Sequence, residues 1–214
     1  MPNPIKAARN LLKRTPFYAQ WKEVGWYPDY WYWNLRGRPR RTPHVQKQRT
    51  VTEYAERYGM TTLVETGTYY GEMVSAQKRR FREIFTVEFM PKLAELARKR
   101  FAACPNVHVY EGDSKVEIPK ILAKLDGPVL FWLDAGYYGW SNLNPDKSRL
   151  AAEFDAILNH RPDHVILMDD AHALDGTEGR LSIPALTEHI HQHFPGRDVE
   201  VKYDILRITP ANMR

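Results

Sequence analysis

The order of apolar and helical segments predicts an α/β protein with a mostly parallel sheet, helices on both faces and a C-terminal antiparallel strand or hairpin. Three observations predict it. Five short apolar runs each end in acid: Glu65, Glu88, Glu111 with Asp113, Asp134, and Asp169 with Asp170. A stretch with helical spacing follows each run. A turn bearing Gly67 and Gly71 joins the first run to its helix. Strand–helix units packed this closely demand right-handed crossovers and a mainly parallel sheet, so the arrangement is Rossmann-like. Ligands on such sheets bind beyond the carboxyl ends of the strands, where the acids stand.

The elements follow in order. Ile5, Ala8, Leu11 and Leu12 give residues 4–13 a weak amphipathic pattern, which Pro16 should stop. Residues 17–33 carry nine aromatics with no helical or strand period, and Pro28 should interrupt any regular element there. Most of these rings are expected to pack, and one or two to meet an acceptor. Arg36, Arg38, Arg40 and Arg41 lie in a stretch with loop composition. Helical spacing resumes over 44–58, and Gly59 looks like its C-terminal stop. Strands are expected at 62–65, 84–88, 107–110, in Val129–Asp134 and in His164–Asp170. Helices are expected at 71–81, from Pro91 to about Ala103, and at 116–125, 148–160 and 183–193. Val199 to Ile208 reads as two short strands or one with a bend. The economical division is a basic, aromatic-rich extension over 1–59 and a sheet domain over 60–214.

Charge separates the same two parts. Residues 1–50 hold eleven Lys or Arg against Glu23 and Asp29, a balance of +9 within a whole-chain net charge of +5. The arm suits a membrane surface, an anionic glycan or a nucleic acid, or it is a solvated face or docks on the protein's own acidic body. Cys104 is the only cysteine, which excludes an internal disulfide and a cysteine-rich zinc site. A reducing, cytoplasmic setting is expected, because the first residues hold no apolar core of signal-peptide or membrane-span length. Exposed aromatics make a homodimer an expectation as well.

The chemistry-bearing residues sit at the strand ends. Glycines permit close backbone approach to a ligand, and an acid about twenty residues beyond such a turn can accept from a ribose diol; that role falls to Glu88. Asp113 and Ser114 either bind an adenine edge, cap the next helix, or do both. Asp134, Asp169 and Asp170 end two strands expected to be neighbours. Three clustered carboxylates repel unless something cationic intervenes, and magnesium, which prefers hard oxygen ligands, suits that place. The alternative is that Asp134 touches the cofactor and Asp169 caps a loop. His172, just beyond, has a pKa suited to a general base, or it belongs to the metal shell or the acceptor site. Tyr137, Tyr138 and Trp140 are candidate acceptor contacts.

The segments V-E-T-G-T-Y-Y-G, V-E-F, E-G-D-S, F-W-L-D-A and I-L-M-D-D-A-H together resemble the class I S-adenosylmethionine-dependent methyltransferases, over about residues 60–210. The resemblance implies that Glu65, Gly67, Thr68, Tyr69, Tyr70 and Gly71 wrap the methionine part of the cofactor. It implies that Glu88 binds the ribose, that Phe89 flanks the adenine, and that Asp113 and Ser114 bind its edge. The Asp134, Asp169 and Asp170 set is similar to the magnesium site of metal-dependent O-methyltransferases. Of these, the enzymes that methylate sugar hydroxyls of macrolides and aminocoumarins are the nearer likeness. Relatives often carry an ionisable residue shortly after the first aspartate. Here Gly136 and Tyr137 stand there, so His172, or the metal alone, takes the part of base, with Asp134 and Asp170 as its catalytic partners.

The resemblance therefore implies transfer of a methyl group to a hydroxyl of a sugar, glycan or related small molecule, one that can be anionic. Three other readings remain: an RNA or other nucleic-acid methyltransferase, an NAD(P)-dependent oxidoreductase, and a non-catalytic protein binding through its basic arm. The oxidoreductase reading wants G-x-G-x-x-G, whereas Tyr69 and Tyr70 occupy this turn.

Overall fold

The computed structural model describes residues 28–39, 42–134, 147–177 and 181–211. The expected helix over 4–13, most of the aromatic stretch before Pro28, Arg40, Arg41 and the candidate acceptor residues Tyr137, Tyr138 and Trp140 lie outside them. The chain divides into two compact units, Met1–Gln46 and Lys47–Arg214.

In the first unit, helix α1 spans Pro28–Leu35. The expectation that Pro28 interrupts regular structure is corrected: it opens the helix, where its missing N–H would be unpaired anyway and its fixed φ suits the first turn. Trp33 is buried and its indole N–H donates to the Pro39 carbonyl at 2.7 Å, while Trp31 and Tyr32 are exposed. Gly37 and Arg38, both at positive φ, turn the chain beyond the helix.

Helix α2, His44–Arg57, runs across the boundary between the units. Gly59 ends it as expected: it takes φ +64°, and Met60 N–H returns to the Ala55 carbonyl at 2.8 Å. The second unit then alternates strand and helix. It comprises β1 Thr62–Thr66, α3 Glu72–Gln77, β2 Glu83–Glu88, α4 Pro91–Arg100, β3 Val107–Glu111, α5 Ser114–Leu122, β4 Leu130–Leu133, α6 Lys147–His160, β5 Val165–Met168, α7 Ile183–His193, β6 Arg197–Lys202 and β7 Ile205–Pro210. The seven strands form one sheet in the order β3-β2-β1-β4-β5-β7-β6. The pairs among β1 to β5 are parallel, and β7 is antiparallel to both β5 and β6. The expected fold class is the observed one, and its C-terminal element is a hairpin.

Side-chain alternation explains why the sheet is covered twice. On β4, Leu130 and Trp132 join one buried cluster while Phe131 and Leu133 join the other; on β1, Leu63 and Val64 divide the same way. The first face packs against Tyr54 of α2 and Tyr58 just past it, Met73 and Val74 of α3, and Ala97 of α4 with Phe101 just past it. The second packs against Ile118 and Ile121 of α5, Phe154 and Ile157 of α6, and Leu186 and Ile190 of α7. Strands buried on both faces read as continuous apolar runs, which is why four-residue β4 and β5 are fully buried. Sequence order reverses direction across the sheet at β1 and β4, so the crevice beyond their carboxyl ends is the expected ligand position.

Candidate functional site

The turn after β1 is held in place by β2. Gly67 and Thr68 donate their N–H groups to the Val87 carbonyl, and Gly71 N–H closes the turn on the Thr68 carbonyl at 2.7 Å. Gly67, Tyr69 and Gly71 all take positive φ. At Gly71 the requirement is double: φ is +72°, and an added Cβ would lie 2.7 Å from the Phe101 ring. Glu88 clips the turn to the strand end, because one carboxylate oxygen accepts from Tyr69 N–H at 2.7 Å and the other from Met90 N–H at 2.9 Å. A carboxylate offers about four lone-pair sites, so both oxygens retain acceptor capacity for a ligand diol. Tyr69, Tyr70 and Phe89 are exposed beside it.

Glu65 is buried beneath this turn. Thr86 donates its hydroxyl to Glu65 at 2.5 Å, and Thr68 meets Thr86 at 2.5 Å. Burial pushes the Glu65 carboxyl up to about 8, against the lowering effect of the Thr86 bond and with the Asp134 and Glu88 charges adding to the rise. Asp113 caps α5 by accepting from Lys115 N–H at 3.0 Å. Ser114 directs its hydroxyl to buried Glu153 at 2.6 Å. Asp113 therefore makes the cap with one carboxylate oxygen, which leaves acceptor capacity for an adenine edge, while the Ser114 hydroxyl is engaged by Glu153.

Asp134 and Asp169 end adjacent parallel strands; Asp134 N–H bonds the Thr66 carbonyl and Asp169 N–H bonds the Leu133 carbonyl. Burial raises the Asp134 carboxyl, the nearby Asp169 adds to the rise, and Lys47 opposes it. Burial likewise raises Asp169, against the pull of Lys47. The Lys47 ammonium, from the start of α2, donates to Asp169 Oδ2. Burial works against the charge on Lys47, but Asp169, with Asp134 and Asp170 behind it, holds its pKa above the ordinary value. Asp169 Oδ1 is buried without a hydrogen-bond partner. This orphan acceptor and the hard oxygen donors of Asp134, Asp169 and Asp170 fit a cation in kind.

Asp170 turns the chain with φ +51° and is exposed. Among the described residues, the group whose ligand atoms lie within 4.8 Å of one another is Asp170, His172 and Asp204; Asp134 and Asp169 are not part of it. Asp204 accepts from His172 twice, from the backbone N–H at 2.8 Å and from ring Nδ1 at 2.6 Å. A carboxylate only accepts, so Nδ1 carries the proton and Nε2 is the basic nitrogen. Asp204 comes from the two-residue turn of the β6–β7 hairpin, where Tyr203 and Asp204 both take positive φ as such turns require.

Three functional candidates were not read from the sequence: Lys47, Asp204 and Glu153. Lys47 sat in an ordinary helical pattern, and the other two became visible only through their partners.

Solved structures share this architecture. A SAH-bound methyltransferase from Podospora anserina is 19% identical, with 98% of this chain and 97% of that chain covered at a TM-score of 0.54. The O-methyltransferase TomG from Streptomyces achromogenes, involved in tomaymycin synthesis and solved with SAM, is 16% identical over 83% of this chain and 85% of its own, at 0.55. The fold is that of the class I methyltransferases. An O-methyltransferase from Bacillus cereus in complex with SAH adds a third match at 17% identity, covering 77% of this chain and 80% of that one, with a TM-score of 0.55. No family model matches the sequence, and no curated protein matches it. On this methyltransferase fold, the glycine turn, Glu88 and the Asp134–Asp169 edge all lie along the carboxyl ends of β1, β2, β4 and β5.

Proposed function

We propose that the chain is an S-adenosylmethionine-dependent methyltransferase that methylates a hydroxyl of a sugar, glycan or related small molecule, with magnesium at the strand-end carboxylates. The observation that carries the reading is the glycine turn clipped to Glu88 on a sheet of methyltransferase order. S-adenosylmethionine, when bound, supplies a methyl group activated by its sulfonium. Glu88 receives the ribose hydroxyls on the lone pairs that Tyr69 and Met90 leave, Phe89 covers the adenine, and Asp113 with Ser114 meets its edge. The turn from Glu65 to Gly71 wraps the methionine end. Buried Glu65 and Asp134 favour a cationic ligand, because a positive charge relieves the cost of ionising both.

Transfer needs a nucleophilic oxygen aligned with the methyl group, and an alcohol is a poor nucleophile. A magnesium ion held by Asp134, Asp169 and Asp170 would acidify and fix that hydroxyl. His172 takes the proton at Nε2, with Nδ1–H held on Asp204. The acid cluster favours oxygen over nitrogen as acceptor atom, since nitrogen needs less help in losing a proton. The aromatic, arginine-rich arm is the part left to set acceptor choice.

The test is transfer from labelled S-adenosylmethionine to a panel of saccharides, glycans, phenols and RNA, with magnesium and with chelator. Methylation of a hydroxylated small acceptor that falls with chelator is expected, and it should be lost in Asp134→Ala. Full activity in metal-free enzyme removes magnesium from the reading. Methylation of RNA alone replaces the acceptor class, and failure to bind S-adenosylmethionine ends the reading.

A further inference from the structure

We propose that Lys47 is a tethered counter-cation that competes with a divalent ion for Asp169, so that this chain carries its own brake on metal loading. The inference rests on reading the strand-end carboxylates as the cation site and adds a regulation of that site. Lys47 and Asp169 are 122 residues apart in sequence, yet the ammonium sits on Oδ2 of a carboxylate whose side chain is 2% exposed, with the lysine side chain itself 17% exposed. Asp134 and Asp170 act on the same ammonium. One positive charge thus stands on Asp169, within electrostatic reach of Asp134 and Asp170, at the edge where a divalent ion would be needed.

The two cations cannot share Oδ2. An ion arriving there must displace the ammonium or sit beside a like charge, and either way its affinity falls below what three carboxylates alone would provide. A lysine is suited to this reversible role: its ammonium is a strongly hydrated point charge on a flexible four-carbon stem, able to swing to water when an ion enters. Asp169 Oδ1 has no hydrogen-bond partner and is buried, so the carboxylate is half-satisfied by Lys47 and can still attract a second cation. The site then exists in two states, one closed by Lys47 and one loaded with an ion and with Lys47 released.

The test is Mn2+ binding to the full chain without cofactor or acceptor, followed by electron paramagnetic resonance and calorimetry. Lys47→Met should bind Mn2+ about tenfold or more tightly than wild type, as expected for removing a like charge at close range. Lys47→Arg should stay near wild type, and Asp169→Asn should cancel the gain when added to Lys47→Met. A second measurement needs no variant: saturating Mn2+ should raise the acetylation of Lys47 in wild-type protein, read by mass spectrometry, whereas equal ionic strength of sodium should not. Unchanged or weaker Mn2+ binding in Lys47→Met overturns the proposal. So does Lys47 labelling that ignores saturating Mn2+, or the absence of Mn2+ binding in wild type and variant alike. Methyl transfer to the acceptor panel is measured separately, so these results leave the assignment of activity to stand or fall by itself.

Discussion

Glu65→Gln should make the ligand-free protein more stable at alkaline pH, not less. Glu65 is 2% exposed and its carboxyl is pushed up to about 8 from an ordinary value of 4.5. Between those values the folded protein keeps a proton that the unfolded chain releases, so stability falls as pH rises through that window. The stability is fully present below about 4.5 and lost once pH passes about 8. At about 1.4 kcal/mol per pH unit, the whole window amounts to roughly 5 kcal/mol, and the part between pH 5.5 and 8.5 to roughly 3 kcal/mol. Glutamine keeps the shape and the acceptor for Thr86 and has no charge to bury. Urea unfolding of both proteins at several pH values measures the difference, and comparison at each pH cancels most of the contribution from Asp134 and Asp169. Wild type should lose stability relative to Glu65→Gln by an amount on the order of 3 kcal/mol between pH 5.5 and 8.5. Parallel pH profiles would refute the reasoning, because they would mean Glu65 ionises in the folded state as easily as in water.

Three further outcomes are expected. Gly71→Ala forces a Cβ to within 2.7 Å of the Phe101 ring at φ +72° and should cost about 1–3 kcal/mol in chemical denaturation, with weaker cofactor binding. Ser114→Ala removes the hydroxyl that buried Glu153 accepts at 2.6 Å and should cost about 1–3 kcal/mol in the same assay. Asp204→Asn tolerates the turn's positive φ but withdraws the carboxylate that orients His172; kcat should fall about 10²-fold with little change in KM.

Strands β1, β2, β4 and β5 were legible because they are buried on both faces, and an acid marks each of their exits into the carboxyl-side crevice. Gly59 was legible as a helix stop because a positive φ there has a backbone cause. The helix start at Pro28 is not legible, because nine aromatics carry no period and proline starts helices as well as breaking them. Lys47 and Asp204 were not legible for a different reason. Each works through one partner far away in sequence, Asp169 for Lys47 and His172 for Asp204, and a lysine in a helix or an aspartate in a turn has many unremarkable uses. Counting carboxylates points to a cation beside Asp134, Asp169 and Asp170, but it does not reveal that the Lys47 ammonium stands on Asp169.

The same electrostatics separates the rival ligands. A dinucleotide puts a pyrophosphate against the turn after β1, and it needs unobstructed N–H groups at the start of a helix. Here α3 is six residues long and begins with Glu72, Gly71 is backed by the Phe101 ring, and Tyr69 N–H is already given to Glu88. Around it stand Glu65, Glu88 and Asp134, whose mutual repulsion contributes to the raised Glu65 carboxyl. An anion brought to that edge would face Glu88 and would add to the cost of ionising Glu65 and Asp134, and a polyanionic strand laid across it would fare no better. A ligand that carries a diol for Glu88 and a positive charge for Glu65 and Asp134 gains from the arrangement that the others must overcome. A sulfonium nucleoside has both.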